Sequence, residues 1–347
     1  MNCRTSTVRA LAKALRGARI VGSAESLVTG VVYDSRRVQP GDLFAALRGA
    51  DRDGHEFVPD AQARGAVAVL VESLAPTALP QIQVSNSRAA LAAIAAEFYG
   101  HPSTDIRVIG ITGTDGKTTT SYLIDHVLRS VGTRTGMIGT VAIRIGDHEN
   151  LHPSRQTTPE SCDIQKYLRQ MVDASLEWAT LEATSHGLTM HRLDHVRFDI
   201  AAITNITREH LDYHGTIENY RRAKATLLER VAMNSGIAVV NVDDPGSCAI
   251  EHFAAGATML RYSPTGASAD LRALDVQASV FGSNFVLEAG DRGRVACQLP
   301  LIGEFNVANA LCATGIALGA GVQLDAIAAA LATAPPVPGR MARVDVG

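Results

Sequence analysis

The stretch Ile109-Gly110-Ile111-Thr112-Gly113-Thr114-Asp115-Gly116-Lys117-Thr118-Thr119 stands between a predicted strand, Ile106–Ile111, and a predicted helix, Thr118–Ser130. A glycine-rich loop at such a junction turns backbone N–H groups towards an anion, and the helix that follows adds its N-terminal dipole. In this geometry Lys117 reaches the β- and γ-phosphates of a nucleotide, and the hydroxyl of Thr118 binds Mg²⁺. The stretch therefore predicts a phosphate-binding loop at the carboxyl end of a strand.

The loop is a variant, because the strict G-x-x-x-x-G-K-T pattern would place glycine at Ile111. A glycine-rich turn without a ligand is the alternative interpretation. The composition favours a nucleotide site: 28 of the 32 basic residues are arginine, and the four lysines are Lys13, Lys117, Lys166 and Lys224. Where a chain prefers arginine so strongly, a lysine marks a position that needs a compact amine, with random retention as the competing explanation for any one of them.

Strands and helices alternate on the C-terminal side of the loop. Strands are predicted at Glu177–Leu181, Ile200–Thr204 and Ile237–Val242, and a helix follows Thr158-Pro159-Glu160 with Thr158 as its N-cap. Further β structure is predicted at Ala273–Ser279 and Asn284–Glu288, and further helices at Asn306–Leu318 and Asp325–Ala332. Such alternation implies a mostly parallel sheet with helices on both faces.

Residues 1–102 form a separate, small α/β unit in this interpretation. Its predicted strands are Gly30–Asp34, Ala66–Val71 and Gln81–Val84. Its predicted helices are Val58–Arg64 and Arg88–Tyr99. The turn-forming segment Gly100–Thr104 predicts a linker after it. We therefore expect an α/β protein with an N-terminal domain over 1–102, a central domain over 103–335, and, after a proline-rich stretch, the start of a further domain over 336–347.

Length and composition exclude several classes of protein. The 347 residues suggest about two domains, and a hydrophobic content of 46% excludes a disordered chain. The apolar runs are too short to predict a membrane span. A net charge of −3 without a basic stripe argues against a nucleic-acid partner. Five widely separated cysteines argue against a zinc ribbon or a disulfide framework and fit a reducing cytoplasm.

The N-terminus is basic and contains no acidic residue before Glu25. Such a start is typical either of an organelle transit peptide or of a short surface helix, here at Val8–Leu15. The stretch runs directly into domain-like sequence, which favours the helix.

A second candidate group consists of one carboxylate and several histidines. Glu182 ends the apolar run Trp178–Leu181, as expected of a strand whose carboxyl end faces a nucleotide, although a solvated glutamate there is the plain alternative. Five histidines fall within 29 residues, namely His186, His191, His195, His210 and His214. His210 and His214 have the spacing of a helical zinc pair but lack the H-E-x-x-H pattern, so ordinary hydrogen-bonded histidines are the favoured interpretation.

Together these motifs resemble the Mur ligases, ATP-dependent carboxylate–amine ligases of peptidoglycan assembly, and within them the MurE type. The resemblance rests on strings spread over essentially the whole chain: Asp34–Arg36, Pro40–Phe44, Thr112–Thr120, Thr157–Ser161, Glu182–Leu188, Thr204–Gly215, Gly303–Asn309 and Pro338–Met341. The string Thr204–Gly215 is specific to the type, whereas the phosphate-binding loop is shared across the superfamily.

The resemblance implies ATP and Mg²⁺ as cofactors. It assigns ATP binding to the loop residues Gly113, Thr114, Asp115, Gly116, Lys117, Thr118 and Thr119, with adenine- or phosphate-side contacts from Asn306, Asn309 and Arg340. Thr118 and Glu182 match residues that hold Mg²⁺, and His210 matches a residue beside a second metal or the transferred phosphate.

Lys224 matches a family lysine that is carbamylated, so that an amine becomes a metal-binding carboxylate. Carbamylation needs a neutral amine, and we expect the adjacent Arg221 and Arg222 to lower the pKa of Lys224. An exposed helical lysine is the alternative. With Lys117 and His210, Lys224 completes the catalytic residues that the resemblance implies.

The substrate positions that match the family are less regular. They are Ser35, Gln156, Thr157, Thr158, Thr184 and Arg192, which the resemblance assigns to the UDP-sugar peptide. Gln156 replaces an asparagine, Thr184 stands at a common serine, and Met190 occupies a position that is polar in some members. In the loop, Asp115 replaces the usual asparagine and places a negative charge near the phosphates.

The implied reaction adds a diamino acid, meso-diaminopimelate or L-lysine, to UDP-MurNAc-L-Ala-D-Glu in the cytoplasm. The D-Glu γ-carboxylate attacks the ATP γ-phosphate, and the amine then displaces phosphate from the acyl phosphate. The family's C-terminal domain, which carries the amino-acid pocket, would follow Gly347. We therefore expect this chain, as a monomer, to bind both the UDP-sugar dipeptide and ATP without completing ligation. Two alternatives stay open: another ligase of the superfamily, such as a folylpolyglutamate synthetase, and a truncated binding fragment that does not ligate.

Overall fold

The computed structural model describes residues 4–49, 52–151 and 156–341, and the chain divides into two compact units. The first unit contains the chain up to Asp105 together with Pro159–Gln170 and Thr189–Val196. The second contains Ile106–Thr158, Met171–Leu188 and the chain from Arg197 onward. The domain boundaries expected at 102/103 and 335/336 stay predictions, and the second half of the segment 336–347 lies outside the described residues.

The first unit is built on a five-stranded sheet. The strands are β1 (Ser6–Thr7), β2 (Arg19–Val21), β3 (Leu27–Val28), β4 (Gly30–Val32), β5 (Asp42–Ala45), β6 (Ala68–Val71) and β7 (Gln81–Gln83). The helices are α1 (Val8–Lys13), α2 (Val58–Ala63) and α3 (Ser87–Tyr99). The sheet has the order β2-β7-β6-β5-β4, in which only β2 is antiparallel to its neighbour, while β1 pairs with β3 separately.

Both faces of this sheet are buried, because successive side chains of a strand point to opposite faces. In β5, Leu43 belongs to an apolar cluster with Leu11 of α1 and Leu91 of α3. The next residue, Phe44, belongs to a second cluster with Val58 of α2. The unit is therefore a small three-layer α/β structure.

The second unit contains an eleven-stranded sheet. Its strands are β8 (Arg107–Thr112), β9 (Thr135–Ile138), β10 (Ala142–Ile145), β11 (His148–Leu151), β12 (Trp178–Glu182), β13 (Ile200–Ile203), β14 (Ile237–Asn241), β15 (Thr258–Ser263), β16 (Leu271–Ser279), β17 (Gly282–Glu288) and β18 (Arg294–Leu299). The helices from here on are α4 (Lys117–Ser130), α5 (Ser161–Asp173), α6 (Ser185–Thr189), α7 (Leu211–His214), α8 (Ile217–Met233), α9 (Pro245–Cys248), α10 (Phe305–Gly319) and α11 (Leu324–Leu331). Most of α5 belongs to the first unit.

The strand order places a crevice at the end of β8. The order is β11-β10-β9-β12-β8-β13-β14-β15-β16-β17-β18, parallel from β9 to β16 and antiparallel at both edges. β12 and β13 flank β8 on its two sides. The carboxyl end of β8 is therefore a topological switch point, where open α/β sheets bind their ligands.

Helices cover both faces of this sheet, as the sequence predicts, and the α/β fold class is confirmed. Ile109 and Ile111 of β8 lie in one apolar cluster with Leu123 of α4. Gly110, between them, faces the other side, where a Cβ would come within 2.8 Å of Leu227 of α8. No helix in the described part of the chain is long and apolar enough to cross a membrane.

One helix begins later than the sequence predicts. α5 starts at Ser161, and the carbonyl of Glu160 accepts the first helical hydrogen bonds, so Thr158 is not the N-cap. The Thr158 hydroxyl instead donates to the backbone oxygen of Glu182 at 2.7 Å. The prediction was wrong because a tertiary hydrogen bond to the end of β12 uses the side chain that the local pattern assigned to the cap.

Candidate functional site

The loop between β8 and α4 is braced by the chain that follows β13. The backbone N–H of Thr114 donates to the backbone oxygen of Asn205 at 2.8 Å, and that of Asp115 donates to the Asn205 side-chain oxygen at 3.0 Å. The Thr204 hydroxyl donates to the backbone oxygen of Asp115 at 2.5 Å. A Cβ on Gly113 would stand 1.8 Å from that hydroxyl. Glycine is therefore required at 113 for the two segments to approach.

A second glycine of the loop, Gly116, precedes α4 in a left-handed conformation with φ +83°. A Cβ there would lie 2.3 Å from Oδ1 of Asn309. Any other residue at position 116 would therefore have a strained backbone, and its Cβ would clash with Asn309.

We expect Gly116→Ala to weaken binding of a nonhydrolysable ATP analogue by about tenfold or more, because it displaces Asn309 beside the loop. Gly132→Ala is the matched control, since Gly132 has the same φ of +83° but open space around it. Both variants should lose about 1–2 kcal/mol of unfolding free energy from the left-handed backbone. Calorimetric titration and chemical unfolding measure the two effects. Equal nucleotide affinity in the two variants would contradict the prediction.

The ammonium group of Lys117 lies against the loop itself. Its Nζ donates to the backbone oxygens of Gly113 at 2.9 Å and Thr114 at 2.7 Å. Burial lowers the pKa of Lys117, and the carboxylate of Glu182 opposes that shift. The amine is thus held at the loop, where the sequence expects a contact with phosphate.

Glu182 lies at the end of β12 and is only 1% exposed. Its Oε2 accepts from the hydroxyls of Thr118 at 3.1 Å and Thr140 at 2.8 Å, and its Oε1 accepts from the backbone N–H of Thr140 at 3.0 Å. No ion pair compensates this carboxylate within the described part of the chain. A buried anion held only by neutral donors is suited to receive a cation.

The pair Thr118 and Glu182 fits a magnesium ion. Their oxygens are the hard ligands that Mg²⁺ prefers, and Mg²⁺ commonly takes one or two carboxylates together with waters and substrate phosphates. Among residues 4–49, 52–151 and 156–341, no group of three or more His, Cys, Asp or Glu side chains has metal-binding geometry. This donor set therefore suits a phosphate-bound Mg²⁺ better than a metal caged by protein alone.

Lys224 is buried on α8, with 1% exposure, and reaches the same loop as Lys117. Its Nζ donates to the backbone oxygen of Gly113 at 2.7 Å and lies 4.6 Å from the ring centroid of Tyr220. Burial lowers its pKa well below the ordinary value, and the positive charge of Lys117 adds to the effect. The structure contradicts the interpretation of Lys224 as an exposed helical lysine.

The expected cause of that pKa shift was wrong. Arg221 and Arg222 do not contribute to it. Arg222 is exposed, pairs with Glu229 at 2.9 Å and stacks on the ring of Phe253 at 4.8 Å. Arg222 stands two residues before Lys224, and side chains two residues apart on a helix do not face each other.

His210 precedes α7 with a left-handed φ of +53°. Its ring centroid is 4.7 Å from that of His186, and its Nε2 lies 3.7 Å from a carboxylate oxygen of Glu209. His214 is buried in the same aromatic group, and burial lowers its pKa, with His186 as the next cause. These rings form a compact cluster. The described residues contain no zinc site of the kind for which His210 and His214 have the spacing.

The start of α10 and the segment before residue 341 meet at the beginning of α4. Asn309 donates from Nδ2 to Oδ1 of Asn306 at 2.9 Å, and Asn306 donates to the backbone oxygen of Ile302 at 2.8 Å. Nη2 of Arg340 donates to the hydroxyl of Thr118 at 3.3 Å. Asn306 and Arg340 line a cavity of about 440 Å³. The structure thus brings the three predicted nucleotide-side residues to the loop.

Three of the predicted substrate residues form a hydroxyl network in the second unit. The hydroxyls of Thr140 and Thr157 are 3.1 Å apart, and those of Thr158 and Thr184 are 3.0 Å apart. Gln156 is exposed at the start of this segment. The network continues into Glu182 through Thr140, so these residues adjoin the candidate magnesium ligands.

The other two predicted substrate residues lie in the first unit. Ser35 begins a short helical turn that the Asp34 carboxylate caps. Arg192 is buried and pairs with Glu160 at 3.0 Å, and Arg88 donates to the same carboxylate oxygen at 3.0 Å. The sequence did not identify the Glu160 carboxylate as the group that fixes Arg192.

Several residues of the site were missed. Thr140 contacts Glu182, and Asn205 contacts the loop. The hydroxyl of Tyr220 lies 3.1 Å from that of Thr114. Thr140 follows β9, a strand that the sequence analysis did not predict and that neighbours β12. Prediction of β9 would have pointed to Thr140, because the carboxyl ends of adjacent parallel strands lie at the same edge of a sheet.

Comparisons with known proteins agree on one family. A profile described as Mur ligase middle domain matches residues 111–317, and one described as Mur ligase family, catalytic domain, matches residues 27–99. A UDP-N-acetylmuramyl-tripeptide synthetase of Roseiflexus sp. is 45% identical over 92% of this chain. A UDP-N-acetylmuramoyl-L-alanyl-D-glutamate–2,6-diaminopimelate ligase of Geobacillus kaustophilus is 41% identical over the same share. The chain spans 65% of the length of each.

A solved structure of a UDP-N-acetylmuramoyl-L-alanyl-D-glutamate–2,6-diaminopimelate ligase is similar over 98% of this chain and 69% of its own, with 30% identity and a TM-score of 0.81.

Proposed function

We infer the function from the premise that this chain belongs to the Mur ligase family, whose middle-domain profile covers more than half of it. We propose that it uses ATP to activate the carboxylate of UDP-MurNAc-L-Ala-D-Glu, as the first step of a ligase reaction that joins this carboxylate to the amine of a diamino acid. The observation that carries the proposal is the convergence of Lys117 and Lys224 on the backbone oxygen of Gly113, beside the buried Thr118–Glu182 pair.

In this proposal the loop holds the phosphates and the two lysines stabilise charge. Backbone N–H groups of the loop and the N-terminal dipole of α4 orient the triphosphate. The Lys117 ammonium exchanges the loop carbonyls for phosphate oxygens and neutralises the charge that builds on the transferred group. Mg²⁺ held by Thr118 and Glu182 would polarise the γ-phosphate.

Lys224 acts in the proposal as a carbamate. A buried lysine with a lowered pKa supplies the neutral amine that reaction with CO₂ requires. Its place at Gly113 puts the new carboxylate beside the phosphate loop. His210, on the exposed side of the aromatic cluster, is proposed to meet the transferred phosphoryl group.

The peptide substrate is proposed to lie near the threonine network, so that its γ-carboxylate faces the γ-phosphate. Thr157, Thr158 and Thr184 offer hydroxyls next to Glu182, while Ser35 and Arg192 are proposed to hold the UDP-sugar. The diamino acid is proposed from the names of the relatives, with diaminopimelate favoured over lysine by the Geobacillus protein. The proposal places the protein in the cytoplasm, since the reaction consumes ATP, and treats it as a monomer.

The first chemical step is the sharpest test, because its proposed machinery lies within the described residues. Purified chain is incubated with MgATP, UDP-MurNAc-L-Ala-D-Glu and hydroxylamine, which traps an acyl phosphate as a hydroxamate. We expect a hydroxamate of the dipeptide that depends on ATP. Parallel reactions with diaminopimelate and with lysine, without hydroxylamine, test the second step and its preference.

The outcomes separate the alternatives. ATP and UDP-sugar binding without hydroxamate would favour a non-ligating binding protein. Hydroxamate formation with a folate polyglutamate but not with the muramoyl peptide would favour a folylpolyglutamate synthetase. The string Thr204–Gly215 and the first unit argue against that second alternative.

A further inference from the structure

Helix α8 places two buried side chains against the phosphate loop, one helical turn apart. Tyr220 and Lys224 are four positions apart, so both lie on the same face of α8. The Tyr220 hydroxyl lies 3.1 Å from that of Thr114, and Lys224 donates to the backbone oxygen of Gly113. Tyr220 is fully buried, and its ring centroid is 4.6 Å from Nζ of Lys224. Neighbouring residues of the loop are thus held by neighbouring turns of one helix.

The Tyr220 hydroxyl is the middle of a chain of hydrogen bonds that runs from the loop to the segment before α7. It donates to a carboxylate oxygen of Glu209 at 3.4 Å. Since its single proton is used there, the Thr114 hydroxyl is the donor to Tyr220. The Thr114 oxygen in turn accepts from the backbone N–H of Thr207 at 3.0 Å. Burial raises the pKa of Tyr220 to about 12, so its hydroxyl keeps the proton at neutral pH.

Packing alone does not fix the two residues at the end of this chain. The side chains of Glu209 and His210 are 43% and 45% exposed. His210 also has a left-handed φ of +53°, a conformation that strains a non-glycine residue and persists where surrounding contacts hold it. The hydrogen bond from Tyr220 acts on Glu209, the residue immediately before this strained position.

We propose that Tyr220 is a positioning residue, whose hydroxyl ties Glu209 to the phosphate loop and thereby holds His210 beside that loop. The inference rests on the proposed function for what His210 does there, which is to meet the transferred phosphoryl group. Tyr220 acts through Glu209, because its own side chain is buried. Its ring has a separate role, which is to pack on Lys224.

Amide hydrogen exchange followed by NMR tests this tether without any activity. The backbone N–H groups of Tyr213 and His214 donate to the backbone oxygen of His210 at 3.2 and 3.0 Å, so their exchange reports on His210. Tyr220→Phe removes the hydroxyl and keeps the ring. We expect these two amides to exchange ~10-fold faster in this variant, as for the loss of one hydrogen bond to a charged group. The amides of α4 should exchange at the wild-type rate, because Asn205 still braces the loop.

The trapped acyl phosphate tests the consequence for the reaction. At saturating MgATP and UDP-MurNAc-L-Ala-D-Glu, Tyr220→Phe should form the hydroxamate ~10-fold more slowly, with unchanged affinity for MgAMP-PNP, because the bond positions His210 rather than the nucleotide. With ¹³C-bicarbonate, the carbamate signal proposed for Lys224 should also be unchanged, because the ring that packs on Lys224 remains.

Tyr122→Phe is the matched control. Tyr122 is also buried, but its hydroxyl has no hydrogen-bond partner within the described part of the chain, so the variant should change neither exchange nor rate. Glu209→Ala should speed exchange of the same two amides. Combining it with Tyr220→Phe should add little, since both substitutions break one and the same bond.

Wild-type exchange of the Tyr213 and His214 amides in Tyr220→Phe would overturn the inference. Faster exchange throughout the chain, α4 included, would also overturn it, because the hydroxyl would then serve folding alone. A fully additive effect in the double variant, or an unchanged hydroxamate rate in Tyr220→Phe, would overturn it as well. Wild-type chain that forms no hydroxamate would instead refute the proposed function, and the exchange rates would still show whether Tyr220 holds His210.

Discussion

Lys117→Ala should weaken binding of MgAMP-PNP by about 100-fold or more, because truncating a buried charge that meets an opposite charge costs ~2–5 kcal/mol. The Lys117 side chain is partly buried at the loop, where burial lowers its pKa, and the phosphates provide an opposite charge for the ammonium group to pair with. Lys117→Met should behave in the same way, since it keeps the side-chain volume but removes the charge.

The fold should survive this change. The backbone oxygen of Gly113 retains a donor from Lys224, and only the oxygen of Thr114 loses one, which costs about 1 kcal/mol. Unfolding free energy and calorimetric affinity are measured on the same preparations, with Lys13→Ala as the exposed-lysine control. Wild-type nucleotide affinity in Lys117→Met would refute the phosphate site altogether.

The part of this site that the sequence predicts is the part that is local in the chain. The loop, its strand and its helix are contiguous, and each carries its own signal in glycine spacing and apolar periodicity. The strand ending in Glu182 was predictable for the same reason. The structure extends that strand one residue beyond the predicted end at Leu181, to Glu182, and places the Glu182 carboxylate 3.1 Å from the Thr118 hydroxyl.

What the sequence does not predict is which distant groups brace those residues. Thr204 and Asn205 hold the loop through the carboxyl end of β13, and Thr140 holds Glu182 through the end of β9. The Thr158 cap failed for this reason, since its hydroxyl bonds to β12 across the sheet edge. Local propensity does not indicate such contacts, because they form between residues that are distant in the sequence and that the strand order brings together.

Lys224→Met should reduce formation of the trapped acyl phosphate by about 100-fold or more, and added bicarbonate should not restore it. The reason is that methionine fills the buried site on α8 but cannot form a carbamate. Lys224→Ala should lose activity equally and lose more unfolding free energy, because it leaves a cavity in a fully buried position. Lys166→Ala is the matched control on an exposed lysine.

A carbamate is observable without any activity. With ¹³C-bicarbonate, wild-type chain should show a carbamate carbon signal by NMR that is absent in Lys224→Met and present in Lys166→Ala. Carbamylation consumes the neutral amine, so the signal should grow as the pH rises through the pKa of Lys224. Since burial sets that pKa well below the ordinary value of 10.5, the growth should begin at lower pH than for exposed lysines.

The same spectra distinguish the two explanations of the lowered pKa. If burial and the charge of Lys117 are the cause, Arg221→Ala and Arg222→Ala should leave the carbamate signal and its pH dependence unchanged. Lys117→Met should shift the dependence to higher pH, because removing a nearby positive charge makes protonation of Lys224 easier. Loss of the signal in the arginine variants would restore the sequence-based explanation. A signal that survives in Lys224→Met would place the carbamate elsewhere and leave Lys224 as a buried donor that holds the loop at Gly113.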